Sequence, residues 1–305
     1  MINSKARGSI MLLIATLIWG TSLVAQSIGM KNLSPFAFNA ARFYVGSVVL
    51  IPILLFSNSF KSNPSNQDIQ GKQFYSNHFL LKSSFICGFI LFITATFQQI
   101  GIIYTTVGKA GFITSLYIVI VPVLGLFMGK HISMHIWICI LSSMIGMYLL
   151  CMNGKFNIAY GDFLILLCAL TTAIHILLID HFSAKVNGIK FSCLQFFFCA
   201  TLSLLISIVF EETSFNALLA AIPPILYSGI LSCGVAYTLQ TLGQKHVPPT
   251  MTALILSLES VFSVLSGWLI LNQTLSIKEL IGCAIMFCAI VFSQLPNPKH
   301  INTDT

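Results

Sequence analysis

Two charged residues lie deep within long apolar segments of the sequence, where a charge needs a particular reason. Glu259 is near the centre of segment 248–271. Arg42 lies well inside segment 36–56, about 9 Å from the segment's end at roughly 1.5 Å per residue. A charge at the bilayer centre costs at least about 2.5–3.5 kcal/mol, so such residues usually face a cavity or a partner. Both residues are therefore candidates for contact with a solute.

Each of these charges has a functional and a structural interpretation. Glu259 could bind a substrate cation or take up a proton, or it could be a protonated residue that joins helices. Arg42 could attract a substrate carboxylate with its planar guanidinium, or its side chain could extend to the lipid headgroups. The sequence leaves both alternatives open.

Neutral polar residues in the apolar segments add further candidates. Gln98, Gln99 and Gln240 carry amides, whose ordinary role in membranes is to join helices. His175 could relay protons or pack between helices. Pro122 removes a helical hydrogen bond and could form a hinge or a packing kink. With aromatic residues that could wall a cavity, the candidate substrate-binding set is Trp19, Arg42, Gln98, Gln99, Tyr117, His175, Gln195, Gln240 and Glu259.

No other pattern in the sequence indicates enzyme chemistry. The nine cysteines show no C-x-x-C spacing, so neither a zinc site nor a redox pair is indicated. There is no P-loop, no H-E-x-x-H and no G-x-S-x-G, which disfavours ATP-driven and hydrolytic reactions. We therefore expect no catalytic residues, no metal and no cofactor.

The composition places the chain in a membrane. Hydrophobic residues make up 56% of it, charged residues only 8%, and the mean hydropathy is +0.91. A soluble domain carries about 25% charged residues, and a membrane-spanning helix needs roughly 20 apolar residues. Segments of that kind are 9–28, 36–56, 84–105, 110–129, 132–152, 159–180, 190–210, 220–241, 248–271 and 277–294. The sequence predicts an all-α polytopic membrane protein with ten transmembrane helices.

The distribution of Lys and Arg between these segments predicts the orientation. With the amino terminus in the cytoplasm, ten basic residues fall on the inner side and four on the outer side, in agreement with the positive-inside rule. We expect a multi-pass protein of a bacterial inner (plasma) membrane with both termini in the cytoplasm. This topology accounts for the net charge of +7, so no nucleic-acid partner is needed.

The sequence repeats itself. At a shift of 153, Gly8 aligns with Gly161, Phe38 with Phe191 and Arg42 with Gln195; at a shift of 142, Gln98 aligns with Gln240, Gly101 with Gly243, Ser115-Leu116 with Ser257-Leu258 and Tyr117 with Glu259. The unit is five helices, and an odd number inverts the second copy in the membrane. Inverted repeats usually place a substrate site near the midplane, between the halves. We predict repeats at 1–155 and 156–295, followed by a short cytoplasmic tail at 296–305.

Several short stretches carry a family resemblance. They are Trp19-Gly20, Arg42, the pattern F-I-T-S-L-Y-x-V-x-V-P at 112–122, and E-S-V-F at 259–262. On these, the chain resembles the EamA-type transporters of the drug/metabolite transporter superfamily across nearly its whole length. The resemblance implies two inverted five-helix halves with helices 5 and 10 at the periphery. It also implies export of amino acids, other small metabolites or drugs.

These observations together predict a secondary transporter of small organic metabolites that works by alternating access, as an exporter. An importer or exchanger is one alternative, and a non-transporting membrane scaffold or a membrane enzyme is another. The expected partners are a small-molecule substrate, the lipid bilayer, a coupling proton or ion, and a second copy of the chain in a homodimer.

Overall fold

Every regular element in the described part of the chain is a helix. The computed structural model describes residues 4–59, 77–105, 107–151, 159–271 and 276–294. The elements are helix 1 (Ser4–Gly29), helix 2 (Pro35–Ser59), helix 3 (Asn77–Tyr104), helix 4 in two parts (4a, Val107–Thr114; 4b, Tyr117–Phe127), helix 5 (Met134–Cys151), helix 6 (Tyr160–Ser183), helix 7 (Gly188–Phe210), a short surface helix (Phe215–Ala220), helix 8 in three parts (Ile222–Leu226, the π-helical stretch Tyr227–Tyr237, and Thr238–Gly243), helix 9 in two parts (9a, Pro249–Leu256; 9b, Glu259–Leu271) and helix 10 (Ile277–Gln294).

The helices confirm the predicted all-α polytopic membrane fold. Within the described ranges, nine helical spans are long and apolar enough to cross a membrane, and Met134–Leu149 is a shorter apolar helix. Helix 10 has the predicted bounds. Helix 3 begins at Asn77 rather than at 84, so the polar residues that precede the apolar segment are helical. The predicted tail at 296–305 lies outside the described residues.

Helices 4 and 9 are interrupted at equivalent places. The breaks fall at Ser115-Leu116 and Ser257-Leu258, which are related by the 142-residue shift. At both breaks the hydrogen bonds tighten to an i→i+3 pattern: Leu116 N–H donates to Ile113 O at 3.1 Å, and Leu258 N–H donates to Ile255 O at 3.2 Å. The predicted kink residue Pro122 lies inside helix 4b, downstream of the break.

Helix 8 has a second kind of irregularity. Its middle part, Tyr227–Tyr237, is π-helical, which widens the turns and shifts the side chains that follow. Gly229 and Gly234 occur in this stretch. A Cβ on Gly229 would lie 2.6 Å from Cβ of Val45, so helix 2 packs directly against the backbone here. The sequence did not predict this π-helix.

The two halves of the chain interlock. Helix 3 packs against helices 6 and 7, helix 2 against helices 7 and 8, helix 1 against helices 8 and 9, and helix 4 against helices 6 and 9. Helices 5 and 10 pack mainly against each other. Exchanging each helix with its repeat partner reproduces the same set of contacts, as a pseudo-twofold axis requires. Most of the packing therefore lies between the halves.

The amino-terminal ends of helices 2 and 7, which the repeat makes equivalent, are capped differently. Phe36 N–H and Ala37 N–H of helix 2 donate to the two carboxylate oxygens of Glu211, at 3.0 and 2.8 Å. Glu211 follows helix 7, so this cap joins the two halves. Helix 7 is capped by its own Asn187, whose Oδ1 accepts from Ile189 N–H and Lys190 N–H at 3.1 Å. The halves are thus tied by a helix cap at only one of these two equivalent ends.

Candidate functional site

A polar cavity lies at mid-depth between the two halves. Its lining residues are Trp19, Gln26, Arg42, Leu91, Thr94, Gln98, Thr114 and Tyr117 from the first half, and Thr172, His175, Ser232, Tyr237, Gln240, Leu256 and Glu259 from the second. Of the described residues, none in helices 5, 7 or 10 lines it. The cavity volume is about 40 Å³, enough for about three water molecules and far below the roughly 300 Å³ of a typical ligand pocket.

Glu259 is the acidic residue of this cavity. It is the first residue of helix 9b, directly after the break, and is only 8% exposed. Among the described residues, its carboxylate has no hydrogen-bond donor and no ion-pair partner. The repeat-equivalent residue, Tyr117, is the first residue of helix 4b and lines the same cavity. The two breaks therefore bring these equivalent positions together at mid-depth.

Arg42 supplies a positive charge to the cavity. Its side chain is 2% exposed, its Nε donates to Asn39 Oδ1 at 2.9 Å, and its Cζ lies 4.8 Å from the ring centroid of Phe43. Its Nη2 is buried and has no hydrogen-bond partner in the described part of the chain. Because the guanidinium is enclosed in the bundle, the alternative in which it extends to the headgroups does not describe this conformation. Arg42 forms no ion pair with any described residue.

Aromatic side chains form one wall of the cavity. Trp19 and Tyr237 meet edge to face with ring centroids 4.6 Å apart, and Trp19 Nε1–H donates to Ser232 O at 3.4 Å. The rings of Phe43 and His175 each lie 6.2 Å from the Tyr237 ring, measured between centroids. Tyr237 ends the π-helical stretch, so the widened turns of helix 8 place this ring at the centre of the wall.

The structure brings seven of the nine candidate residues together. Trp19, Arg42, Gln98, Tyr117, His175, Gln240 and Glu259 line the cavity. Gln195 lies behind it, and its Oε1 is 3.3 Å from His175 Nε2. Gln99 is fully buried away from the lining, and neither of its amide atoms has a hydrogen-bond partner within the described ranges. Whether any of these residues contacts substrate remains a prediction.

Sequence reasoning missed several residues of the site. The missed polar lining residues are Gln26, Thr94, Thr114, Thr172 and Ser232. Asn39 was missed as well, although it lies one helical turn before Arg42 and binds it. Asn39 lies three residues before Arg42, and residues at that spacing lie on the same face of a helix, so the sequence could have identified the pair. Within the described chain, His, Cys, Asp and Glu residues form no group of three that could hold a metal.

The fold and the cavity define a polytopic membrane transporter built from an inverted repeat. The chain belongs to the EamA-like transporter family, whose sequence profile matches residues 6–152 and 159–295, and this family is part of the drug/metabolite transporter superfamily. The family identifies a transporter rather than an enzyme.

Known proteins are similar over nearly the whole length. An uncharacterized transporter of Archaeoglobus fulgidus is 30% identical over 285 residues, covering 93% of this chain and 84% of the relative. The uncharacterized transporter YoaV of Bacillus subtilis is 21% identical over 281 residues, covering 90% and 92%. A solved crystal structure, described only as that of a protein, covers 94% of this chain and 96% of its own at 19% identity, with a TM-score of 0.75, and so shares the fold.

Proposed function

We propose that the protein is a secondary transporter that exports small organic metabolites, such as amino acids, related solutes or drugs, by alternating access. The observation that carries this proposal is the mid-depth cavity, to which both halves contribute and in which the Glu259 carboxylate has no partner among the described residues. An uncompensated acid at that depth is costly, and a solute or a proton that binds it offsets the cost. A scaffold or a membrane enzyme gives no reason for this arrangement.

The small volume of the cavity fits one stage of such a cycle. About 40 Å³ does not hold an amino acid, so the halves must separate around the site before a solute enters. The interrupted helices 4 and 9 offer the bending points, because Ser115-Leu116 and Ser257-Leu258 directly precede the cavity residues Tyr117 and Glu259. Pro122 remains a candidate hinge within helix 4b.

Transport also requires an energy source and a defined orientation in the membrane. A proton or ion gradient drives transport, or a second solute is exchanged, and Glu259 carries the coupling proton. The protein lies in a bacterial inner membrane with both termini in the cytoplasm, and two copies form a homodimer. These statements follow from the sequence and the family resemblance.

A release screen tests the function. Bacteria that express the intact chain are compared with bacteria that express Glu259→Gln, and small solutes are quantified in medium and cytoplasm. Glu212→Gln, which removes an exposed carboxylate at the end of helix 7, is the matched control. We expect at least one solute to leave the cells faster with the intact chain and with the control, but not with Glu259→Gln.

The other outcomes separate the alternatives. A solute that accumulates in the cells identifies an importer or exchanger. Flux of the same solute in liposomes that contain the purified chain excludes an indirect effect on the cell. If no solute changes in cells and none moves in liposomes, the transport proposal is wrong and the scaffold is favoured.

A further inference from the structure

Buried polar atoms without a hydrogen-bond partner among the described residues occur in both halves of the chain, and five in the first half bear on the cavity. They are Arg42 Nη2, Asn39 Nδ2, Gln26 Oε1, and both amide atoms of Gln99. All four side chains are buried, with exposures of 4% or less. Buried polar atoms in folded proteins are nearly always paired, so each unpaired one needs an explanation. Two of the four residues, Gln26 and Arg42, also line the cavity.

The guanidinium of Arg42 is held in a fixed orientation. Asn39 Oδ1 accepts from its Nε at 2.9 Å, and the rings of Phe43 and Phe38 lie 4.8 and 5.8 Å from its Cζ. Asn39 is itself fully buried, so its amide nitrogen remains beside the guanidinium as a second unpaired donor. The pair therefore presents N–H groups and a positive charge with no acceptor from the described protein.

In the second half of the chain, the positions equivalent to Asn39 and Gln99 form a structural hydrogen bond. The shift of 153 aligns Asn39 with Ser192, and the shift of 142 aligns Gln99 with Thr241. Ser192 Oγ donates to Thr241 Oγ1 at 3.2 Å, so these two equivalents are paired with each other.

The equivalent of Arg42 also has a partner. Gln195, at the aligned position, is neutral, and its Oε1 is paired with His175 Nε2 at 3.3 Å. The amide nitrogen of Gln195 is itself buried without a partner among the described residues, so the second half also keeps one unpaired donor. Only the first half has a charged version of the cluster.

We propose that Arg42 and Asn39 form a subsite for the carboxylate group of the transported solute. The proposal rests on the transport function and names the chemical class of its substrate. A carboxylate offers two acceptor oxygens in one plane, which match a guanidinium N–H and a neighbouring amide N–H. Its single negative charge balances the single charge of Arg42, which forms no ion pair with any described residue.

The test measures binding directly, with Trp19 as the reporter. The chain has three tryptophans, so Trp137→Phe with Trp268→Phe leaves only the one that lines the cavity. The purified full chain is titrated with four probes of similar shape: leucine, leucinamide, 4-methylpentanoate and 3-methylbutylamine. We expect saturable fluorescence changes with the two carboxylates, and binding of the amide and the amine that is about 10- to 100-fold weaker.

Variants assign the effect to the subsite. Arg42→Gln introduces the residue found at the equivalent position 195, and Asn39→Ser the one found at 192, so both are compatible with burial. We expect each to weaken carboxylate binding by about tenfold or more and to leave amine binding unchanged. Lys31→Gln, which removes an exposed positive charge in the turn between helices 1 and 2, is the matched control and should change neither.

Two results would overturn the assignment of the subsite. The first is that neither carboxylate gives a saturable response. The second is that leucine and leucinamide bind with equal affinity, both to the intact chain and to Arg42→Gln. Flux in liposomes is scored independently. Carboxylate binding without flux contradicts the transport function and leaves the subsite intact. Flux of amines without carboxylate binding removes the subsite and leaves the function intact.

Discussion

Gly8 and Gly243 meet where helix 1 crosses helix 8, so closely that a Cβ on Gly8 would lie 2.9 Å from the carbonyl oxygen of Gly243. Their repeat equivalents, Gly161 and Gly101, meet in the same way at the opposite end of the bundle, where a Cβ on Gly161 would lie 2.9 Å from Gly101 O. Both crossings join a helix of the first half to a helix of the second. Small residues are what allow membrane helices to approach so closely.

Alanine at either crossing should destabilise the bundle. For Gly8→Ala and Gly161→Ala we expect a loss of about 1–3 kcal/mol in the free energy of unfolding, because the neighbouring carbonyl belongs to the backbone and cannot move aside cheaply. Gly125→Ala is the control, since its nearest neighbours lie 3.9 Å away. Thermal unfolding of the purified variants in detergent measures the difference. Equal stability of all three would show that the crossings tolerate separation.

Glu259→Gln should remove the dependence of transport on a proton gradient. The amide keeps the size and hydrogen-bonding capacity of the acid, but it cannot take up or release a proton. We expect flux in liposomes to fall at least about tenfold and to respond no longer to an imposed pH gradient, while thermal stability is retained. A variant with normal flux and an unchanged pH response would exclude Glu259 as the coupling residue.

Glu211→Ala should loosen the cap that joins the halves. The carboxylate accepts from two backbone amides at the start of helix 2, and its loss should cost about 1 kcal/mol of stability. Glu212→Ala, one residue further and exposed, should cost much less. Denaturant titration of both variants provides the comparison. A similar loss in both would mean that the cap contributes nothing of its own.

Gln195→Met and Gln99→Met should have opposite effects on stability. The first removes the partner of the buried His175 Nε2 and should cost about 1–3 kcal/mol. The second removes an amide that has no hydrogen-bond partner among the described residues, so the stability of this variant should stay the same or rise. Both substitutions preserve side-chain length, and thermal unfolding compares them directly. Loss of stability in Gln99→Met would reveal a contact absent from this conformation.

The sequence predicts this fold well, because the period and length of apolar segments depend on local composition alone. It also identifies Arg42 and Glu259, since a charge inside an apolar segment is conspicuous. It could not separate Gln98 from Gln99, because adjacent helical residues point in directions about 100° apart and only tertiary packing decides which faces the cavity. The helix breaks at Ser115-Leu116 and Ser257-Leu258 are equally hidden. Serine and leucine are ordinary helix residues, and the interruption depends on contacts between helices.

The interlocking of the halves has a consequence for synthesis. The first helices enter the bilayer before the last ones are synthesised, yet helices 1, 2 and 3 pack mainly on helices of the second half. Until helix 8 has been inserted, the face of helix 2 that carries Arg42 has no protein cover from that side. The nascent chain therefore holds an uncovered charge in the membrane for much of its translation, and insertion factors must tolerate it until the late helices arrive.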